Sequence, residues 1–216
     1  MLELKSAQAR YHGVIALQAI DLTIRQGEKL ALVGRSGSGK STLLNLIFER
    51  FPEDAALVPQ DSGLVQTLSV FHNVYMGRLA AHSVWSNLLN LVRPQKKEMA
   101  DIGTILQQLQ LEDKLFSPVG KLSGGQKQRT AIARSLYQGG ALLLADEPVS
   151  AVDEHQSREV METLCGAFST VVLAMHDIDL ALDYCDRILG LQAGKCVLDQ
   201  PSHDLTRADL LPLYRD

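Results

Sequence analysis

Gly34-Arg35-Ser36-Gly37-Ser38-Gly39-Lys40-Ser41 is the stretch that decides how this chain folds. Before it runs Leu30-Ala31-Leu32-Val33, a continuous apolar segment of the kind that forms a strand buried on both faces. After it, residues 41–48 carry apolar side chains at helical spacing. Glycines cannot continue the strand, so the order is strand, glycine loop, helix. Glycine at the first and sixth positions, followed by lysine and serine, is the pattern of a phosphate-binding loop. Glycines let the backbone curl so that its N–H groups point inward, and the helix that follows adds the positive end of its dipole. The residues expected to hold a nucleotide's phosphates are therefore Gly34, Ser36, Gly37, Ser38, Gly39, Lys40, Ser41 and Thr42. Lys40 meets the β- and γ-phosphates in this reading, and the Ser41 hydroxyl takes one position on Mg²⁺. The competing reading, a glycine-rich turn that only joins strand to helix, has no use for lysine and serine both in register.

Two further short apolar runs, Ala141 to Ala145 and Val171 to Met175, are each followed by charged residues and then a helical pattern. Repeated strand-then-helix units predict an α/β fold, a mainly parallel sheet covered by helices. Residues 2–33 alternate apolar and polar before a turn at Gln26-Gly27, which predicts N-terminal antiparallel strands. Between about Leu68 and Lys121 no strand run appears, and the helical pattern from Ile102, Ile105, Leu106 and Leu109 runs on to Leu115. The expectation is one domain over 1–216, with a core of 1–67 and 122–216 and an inserted helical subdomain at about 68–121. A hairpin is expected around Ala193-Gly194, then a short helix.

The 216 residues suffice for one well-buried domain, and 46% hydrophobic with 21% charged is the composition of a globular α/β protein. The net charge of −4 lacks the basic balance of a nucleic-acid protein, so no nucleic-acid partner is expected. Cys165, Cys185 and Cys196 are odd in number and widely spaced, matching neither a zinc site nor a disulfide framework, which points to the cytoplasm. The opening MLELKSAQARY has charges and no apolar stretch, so neither signal peptide nor membrane anchor is read there. Any action at a membrane then requires docking on something else.

Leu142-Leu143-Leu144-Ala145-Asp146-Glu147 is an apolar strand ending in two carboxylates. Asp146 is placed to hold Mg²⁺ through its water shell, because Mg²⁺ keeps waters and prefers carboxylate and phosphate oxygens. Glu147 is placed to polarise an attacking water as general base. Alone, such a pair is more often a helix cap or solvated loop, and the phosphate loop upstream reverses those odds. These residues describe a Mg·ATP-dependent hydrolase of unspecified purpose.

Leu122-Ser123-Gly124-Gly125-Gln126 narrows it. Continued by Gln128-Arg129 and Ala131-Ile132-Ala133-Arg134, it resembles in full the signature of the ABC transporter ATPases. A serine and two glycines opening a helix make a second anion cradle. The resemblance implies that two protomers pair head to tail and sandwich each ATP, with Ser123, Gly124, Gly125 and Gln126 facing the other protomer's nucleotide. It also implies integral membrane permease partners and a peripheral place on the cytoplasmic face of the inner membrane. Similar landmarks follow in order along the chain. Tyr11 resembles the aromatic that stacks on adenine, with a core tyrosine as the equal alternative. Gln60 resembles the glutamine that contacts Mg²⁺ and the attacking water. Asp153, in Ser150-Ala151-Val152-Asp153, resembles the loop residue that touches the partner protomer, and reads equally as an N-cap. His176 resembles the switch histidine that holds the γ-phosphate and orients Glu147; the other five histidines are assigned nothing.

One departure from the family is plain. Only nineteen residues separate Lys40 from Gln60, a stretch that is longer in the family and carries a small antiparallel β arm. Asn73-Val74-Tyr75-Met76-Gly77-Arg78 and Trp85-Ser86-Asn87-Leu88-Leu89 resemble the corresponding segment of phosphonate-import ATPases, the alternative being that Trp85 and the leucines are helix core. A soluble ABC switch in DNA repair or on the ribosome is the rival reading, set against a chain with one cassette and no sustained heptads. An export-type or cell-division ATPase shares the same motor chemistry.

Overall fold

The structure is a computed structural model that describes residues 1–11 and 13–214. Its elements begin with β1 (Leu2–Tyr11), β2 (Val14–Ile24), β3 (Lys29–Val33), α1 (Lys40–Arg50) and β4 (Ala55–Val58). Helices α2 (Val70–Tyr75), α3 (Val84–Val92), α4 (Lys96–Gln108) and α5 (Gly124–Gln138) follow. Then come β5 (Leu142–Asp146), α6 (Glu154–Ala167), β6 (Thr170–Ala174) and α7 (Ile178–Tyr184). The chain closes with β7 (Arg187–Gln192), β8 (Lys195–Pro201) and α8 (Arg207–Leu210). Two compact units result: Met1–Gln60 with Gly140–Pro148 and Phe168–Asp216, and Asp61–Gly139 with Val149–Ala167.

In the first unit a six-stranded sheet runs in the order β4-β5-β6-β3-β7-β8. All neighbours are parallel except the β7–β8 hairpin. Every residue of β5 and β6 is buried, as continuous apolar strands covered on both faces must be. Register aligns the strand ends: Leu32 of β3 and Asp146 of β5 both pair with Ala174 of β6. The three loops that follow therefore leave from one edge of the sheet, the carboxyl edge at which open α/β sheets bind ligands.

The expected N-terminal antiparallel strands form a separate two-stranded sheet, β1 with β2, with register shifts between Leu4 and Arg10. The short link after α1 passes straight into β4 at the sheet edge, where Ala55 pairs with Leu142. Leu17, Leu22 and Ile24 of β2, Leu43, Leu44 and Ile47 of α1, and Leu30 and Leu32 of β3 share one buried cluster. Arg187 ties the two sheets together. Its guanidinium forks onto Asp199 of β8 at 2.5 and 2.6 Å and donates to the Thr23 carbonyl of β2 at 2.9 Å and to Glu28 at 3.3 Å.

In the second unit α5 buries Ala131, Ile132, Ala133 and Tyr137 and packs on α2 and α4. This is why the unit is wider than the helical segment expected over 68–121: α5 shares its core with α2 and α4, and α6 goes with α5. The helix expected to run to Leu115 stops at Gln108. Gln110 takes a left-handed φ of 53°, the Leu111 N–H returns to the Leu106 carbonyl at 2.8 Å, and Glu112–Lys114 form a 3₁₀ turn. The alternative of Trp85 as helix core is corrected as well. Trp85 is 79% exposed, and Val84, Leu88, Leu89, Leu91 and Val92 on the same helix are exposed too. Among the described residues no helix is long and apolar enough to cross a membrane.

Candidate active site

The glycine loop links β3 to α1. Gly34 has φ 137°, and a Cβ there would stand 2.2 Å from the Leu191 carbonyl oxygen, so only glycine lets the loop leave β3 against β7. Helix α1 starts at Lys40 with Gly39 as N-cap, no side-chain cap and no acid in the first turn. Its leading N–H groups are thus left for an anion. The Lys40 ammonium spans the loop, donating to the carbonyls of Gly34 at 2.6 Å and Arg35 at 3.1 Å. Burial lowers its pKa, while the charges of Glu147 and Asp146 act the other way.

The two carboxylates differ in surroundings. Asp146, at the end of β5, is 8% exposed and accepts a hydrogen bond from the Ser41 side chain. Burial raises its pKa, the Ser41 bond lowers it, the neighbouring Glu147 raises it, and Lys40 and His176 lower it. Glu147 sits one residue beyond the strand with φ 52°, a left-handed backbone that is strained for a side chain of this size. Its N–H is held by the Ala174 carbonyl at 2.9 Å, the rung that turns its side chain away from the sheet. Glu147 Oε1 meets His176 Nε2 at 2.7 Å. Two residues on different strand ends are thus brought into direct contact.

A cleft of about 250 Å³ is lined by Ala16, by loop residues from Ser36 to Thr42 other than Ser38, and by Gln60 and Glu147. Gly34 and Ser38, expected among the phosphate-holding residues, are not in its lining. Ser38 is buried behind the loop with its Oγ 3.0 Å from where a Gly34 Cβ would lie and with no hydrogen-bond partner, and its N–H bonds to the Arg35 carbonyl at 3.1 Å. Tyr11 ends β1, and its side chain lies outside the described residues. The cleft suits a Mg·triphosphate. The open helix start and Lys40 meet anionic oxygens, and Ser41 with Asp146 offers a hydroxyl and one carboxylate, the small protein share that Mg²⁺ takes beside water and phosphate. No cluster of three His, Cys, Asp or Glu residues that could cage an ion occurs among the described residues.

The remaining expected residues lie in the second unit. Ser123 and Gln126 close a capping box at the start of α5: Ser123 Oγ accepts the Gln126 N–H at 3.3 Å and Gln126 Oε1 accepts the Ser123 N–H at 3.0 Å. Gly124 and Gly125 follow as the first helical residues. Asp153 accepts the Gln156 N–H at 2.9 Å and so caps α6, as its N-cap reading predicts.

Three positioning contacts were not read from the sequence. Gln128 clasps the loop before α6, its Oε1 accepting the Ala151 N–H at 3.0 Å and its Nε2 donating to Ser150 Oγ at 3.2 Å. Arg134 donates to the carbonyls of Ser62 at 2.9 Å and Gly63 at 3.0 Å, just after Gln60. Tyr214, near the end of the chain, reaches the strand ends around His176. Gln128 and Arg134 were visible as parts of the signature; Tyr214 has no motif around it.

The sequence pattern of the ABC transporter family matches residues 17–150. The chain is 35% identical to the phosphonates import ATP-binding protein PhnC of Rhizobium etli, over 99% of this chain and 86% of that protein. It is also 35% identical to the phosphonates import ATP-binding protein PhnC 1 of Pseudomonas syringae pv. tomato, over 99% of this chain and 91% of that protein. Each alignment runs to 243 positions, more than the 216 residues here, so these relatives carry residues that this chain lacks. Among solved structures, a dimeric bacterial ABC transporter cassette superposes with a TM-score of 0.80 at 26% identity, over 94% of this chain and 99% of that one. That cassette in a dimeric post-hydrolysis state bound to ADP and Pi gives a TM-score of 0.77, with the same identity and coverage.

Proposed function

The chain belongs to the ABC transporter family and is an ATP-binding subunit that hydrolyses ATP; we propose that two copies pair head to tail, each ATP held by one copy's Lys40 loop and the other's Ser123–Gln126 helix start. The observation that carries the hydrolytic part is the 2.7 Å contact of Glu147 with His176 beside the Lys40 loop. Glu147 takes a proton from the attacking water as the water oxygen bonds to the γ-phosphorus and the bond to the β–γ bridging oxygen breaks. His176 orients the Glu147 carboxylate and donates toward the γ-phosphate. Lys40 and the N–H groups of Ser36, Gly37 and Gly39 to Thr42 hold the phosphates, Gln60 orients the water, and Asp153 stands toward the partner copy. Ser41, Asp146 and Gln60 would hold Mg²⁺, which would supply positive charge to offset that of the phosphates.

The driven partner in this reading is an integral membrane permease, with the chain docked peripherally on the cytoplasmic face. Phosphonate import is the transport class favoured by the relatives' names and by residues 73–78 and 85–89. The test is purification from the host in mild detergent. A polytopic membrane protein recovered with the chain, together with ATP turnover that needs Mg²⁺, is the expected result. Recovery with ribosomes or DNA-repair proteins would overturn transport.

A further inference from the structure

The β3–β6 ladder ends with the Met175 N–H on the Leu32 carbonyl at 3.0 Å. Beyond that rung the two chains part, β3 into the glycine loop and β6 into His176. Tyr214 spans the gap. Its hydroxyl donates to the Met175 carbonyl at 3.4 Å, a long bond, and accepts from the backbone N–H of Gly34. Its ring lies 6.3 Å from the His176 ring, tilted by 58°. The tail that delivers it is anchored: Leu210 of α8 is fully buried, and the Leu213 side chain fills the space above Gly190, where a Cβ would come within 2.8 Å. Burial raises the phenol's pKa, which keeps the hydroxyl protonated and able to donate and accept together.

We propose that Tyr214 is a positioning residue for hydrolysis, its hydroxyl acting as an added rung that fixes the first loop residue, Gly34, against the backbone carrying His176. This rests on the hydrolytic reading of Glu147 and His176. A bridge at this point sets how the histidine faces Glu147 relative to the loop that holds the phosphates, and small misplacements there are costly to rate. Nucleotide binding itself depends on the N–H groups that line the cleft, from Ser36 onward, which Tyr214 does not touch.

Tyr214→Phe removes the hydroxyl and keeps the ring. The expected result is a fall in kcat of roughly threefold to tenfold, the scale of one or two lost hydrogen bonds, with KM for ATP held and the unfolding temperature lowered by only roughly 2 to 4 °C. Tyr214→Phe added to His176→Ala should cost nothing more in single-turnover rates, because the tyrosine acts through the histidine. Independently of turnover, Tyr214→Phe should shift the NMR signals of the Gly34 amide and the His176 imidazole. Wild-type kcat in Tyr214→Phe, or an undiminished effect in the His176→Ala background, would overturn the proposal. So would unmoved Gly34 and His176 signals, which decide the bridge even if the wild type proved unable to hydrolyse ATP.

Discussion

Gly125 lies so close to Ala151 that a Cβ on it would stand 2.8 Å from the Ala151 carbonyl oxygen. Together with the Gln128 clasp, this fixes the start of α5 against the loop that leads into α6. Gly125→Ala should push that loop away. If the α5 start serves the partner copy's ATP, the variant will bind nucleotide as a monomer with normal affinity. It will fail to dimerise on ATP and lose roughly tenfold or more in turnover, a displacement effect of the kind that close packing transmits. Fluorescent-nucleotide titration and size exclusion read the two halves separately; weakened monomer binding would count against the division of labour.

Glu147→Gln keeps the shape and removes the base. Turnover should drop by roughly 10²- to 10⁴-fold, the usual contribution of a positioned general base, while ATP affinity holds and an ATP-bound dimer accumulates on gel filtration. Unchanged phosphate release would remove Glu147 from that role.

Lys40→Ala acts on binding. The loss of a charged group that is matched to phosphate oxygens should weaken ATP by roughly tenfold or more, as calorimetry would show. Retained affinity would mean that the loop does not hold the triphosphate as described.

Arg187→Met cuts the tie between the two sheets. Leaving Asp199 and Glu28 without their cation should lower stability by about 2 to 4 kcal/mol, measured by urea unfolding. Arg187→Lys should recover only part of this, since an ammonium lacks the planar fork that meets both Asp199 oxygens. Equal stability of the wild type and Arg187→Met would show that the bond is solvated out.

What the sequence disclosed, and what it hid, follows from range. The loop from Gly34 to Ser41 was legible because phosphate chemistry demands those residue types at that spacing, and β5 and β6 because strands buried on both faces read as unbroken apolar runs. Asp146, Glu147 and His176 were legible as strand-end residues, but only their backbone positions were; the left-handed Glu147 and its contact with His176 belong to the folded register of β5 with β6. Arg187 with Glu28, and Tyr214 with Gly34, join residues far apart in the chain, and no local period announces such pairs. Helix α3 misled for another reason. Apolar residues at Val84, Trp85, Leu88, Leu89, Leu91 and Val92 show that a helix has an oily surface, and nothing in their spacing says whether the fold covers it.

The glycine loop is braced from behind by main chain. The Gly194 N–H bonds to the Ser38 carbonyl at 3.0 Å, and the Gln18 N–H bonds to the Gly194 carbonyl at 2.8 Å. The Arg35 and Gly34 carbonyls in turn are gathered by Lys40. A loop shaped by its neighbours' peptide groups has already given up its conformational freedom when the protein folds. An arriving nucleotide therefore need not spend affinity on ordering it. Since peptide groups are common to every residue type, the side chain at Gln18 is free to vary while the cradle keeps its form, whereas Gly194 is not, because a Cβ there would stand 2.8 Å from the Ala16 carbonyl oxygen.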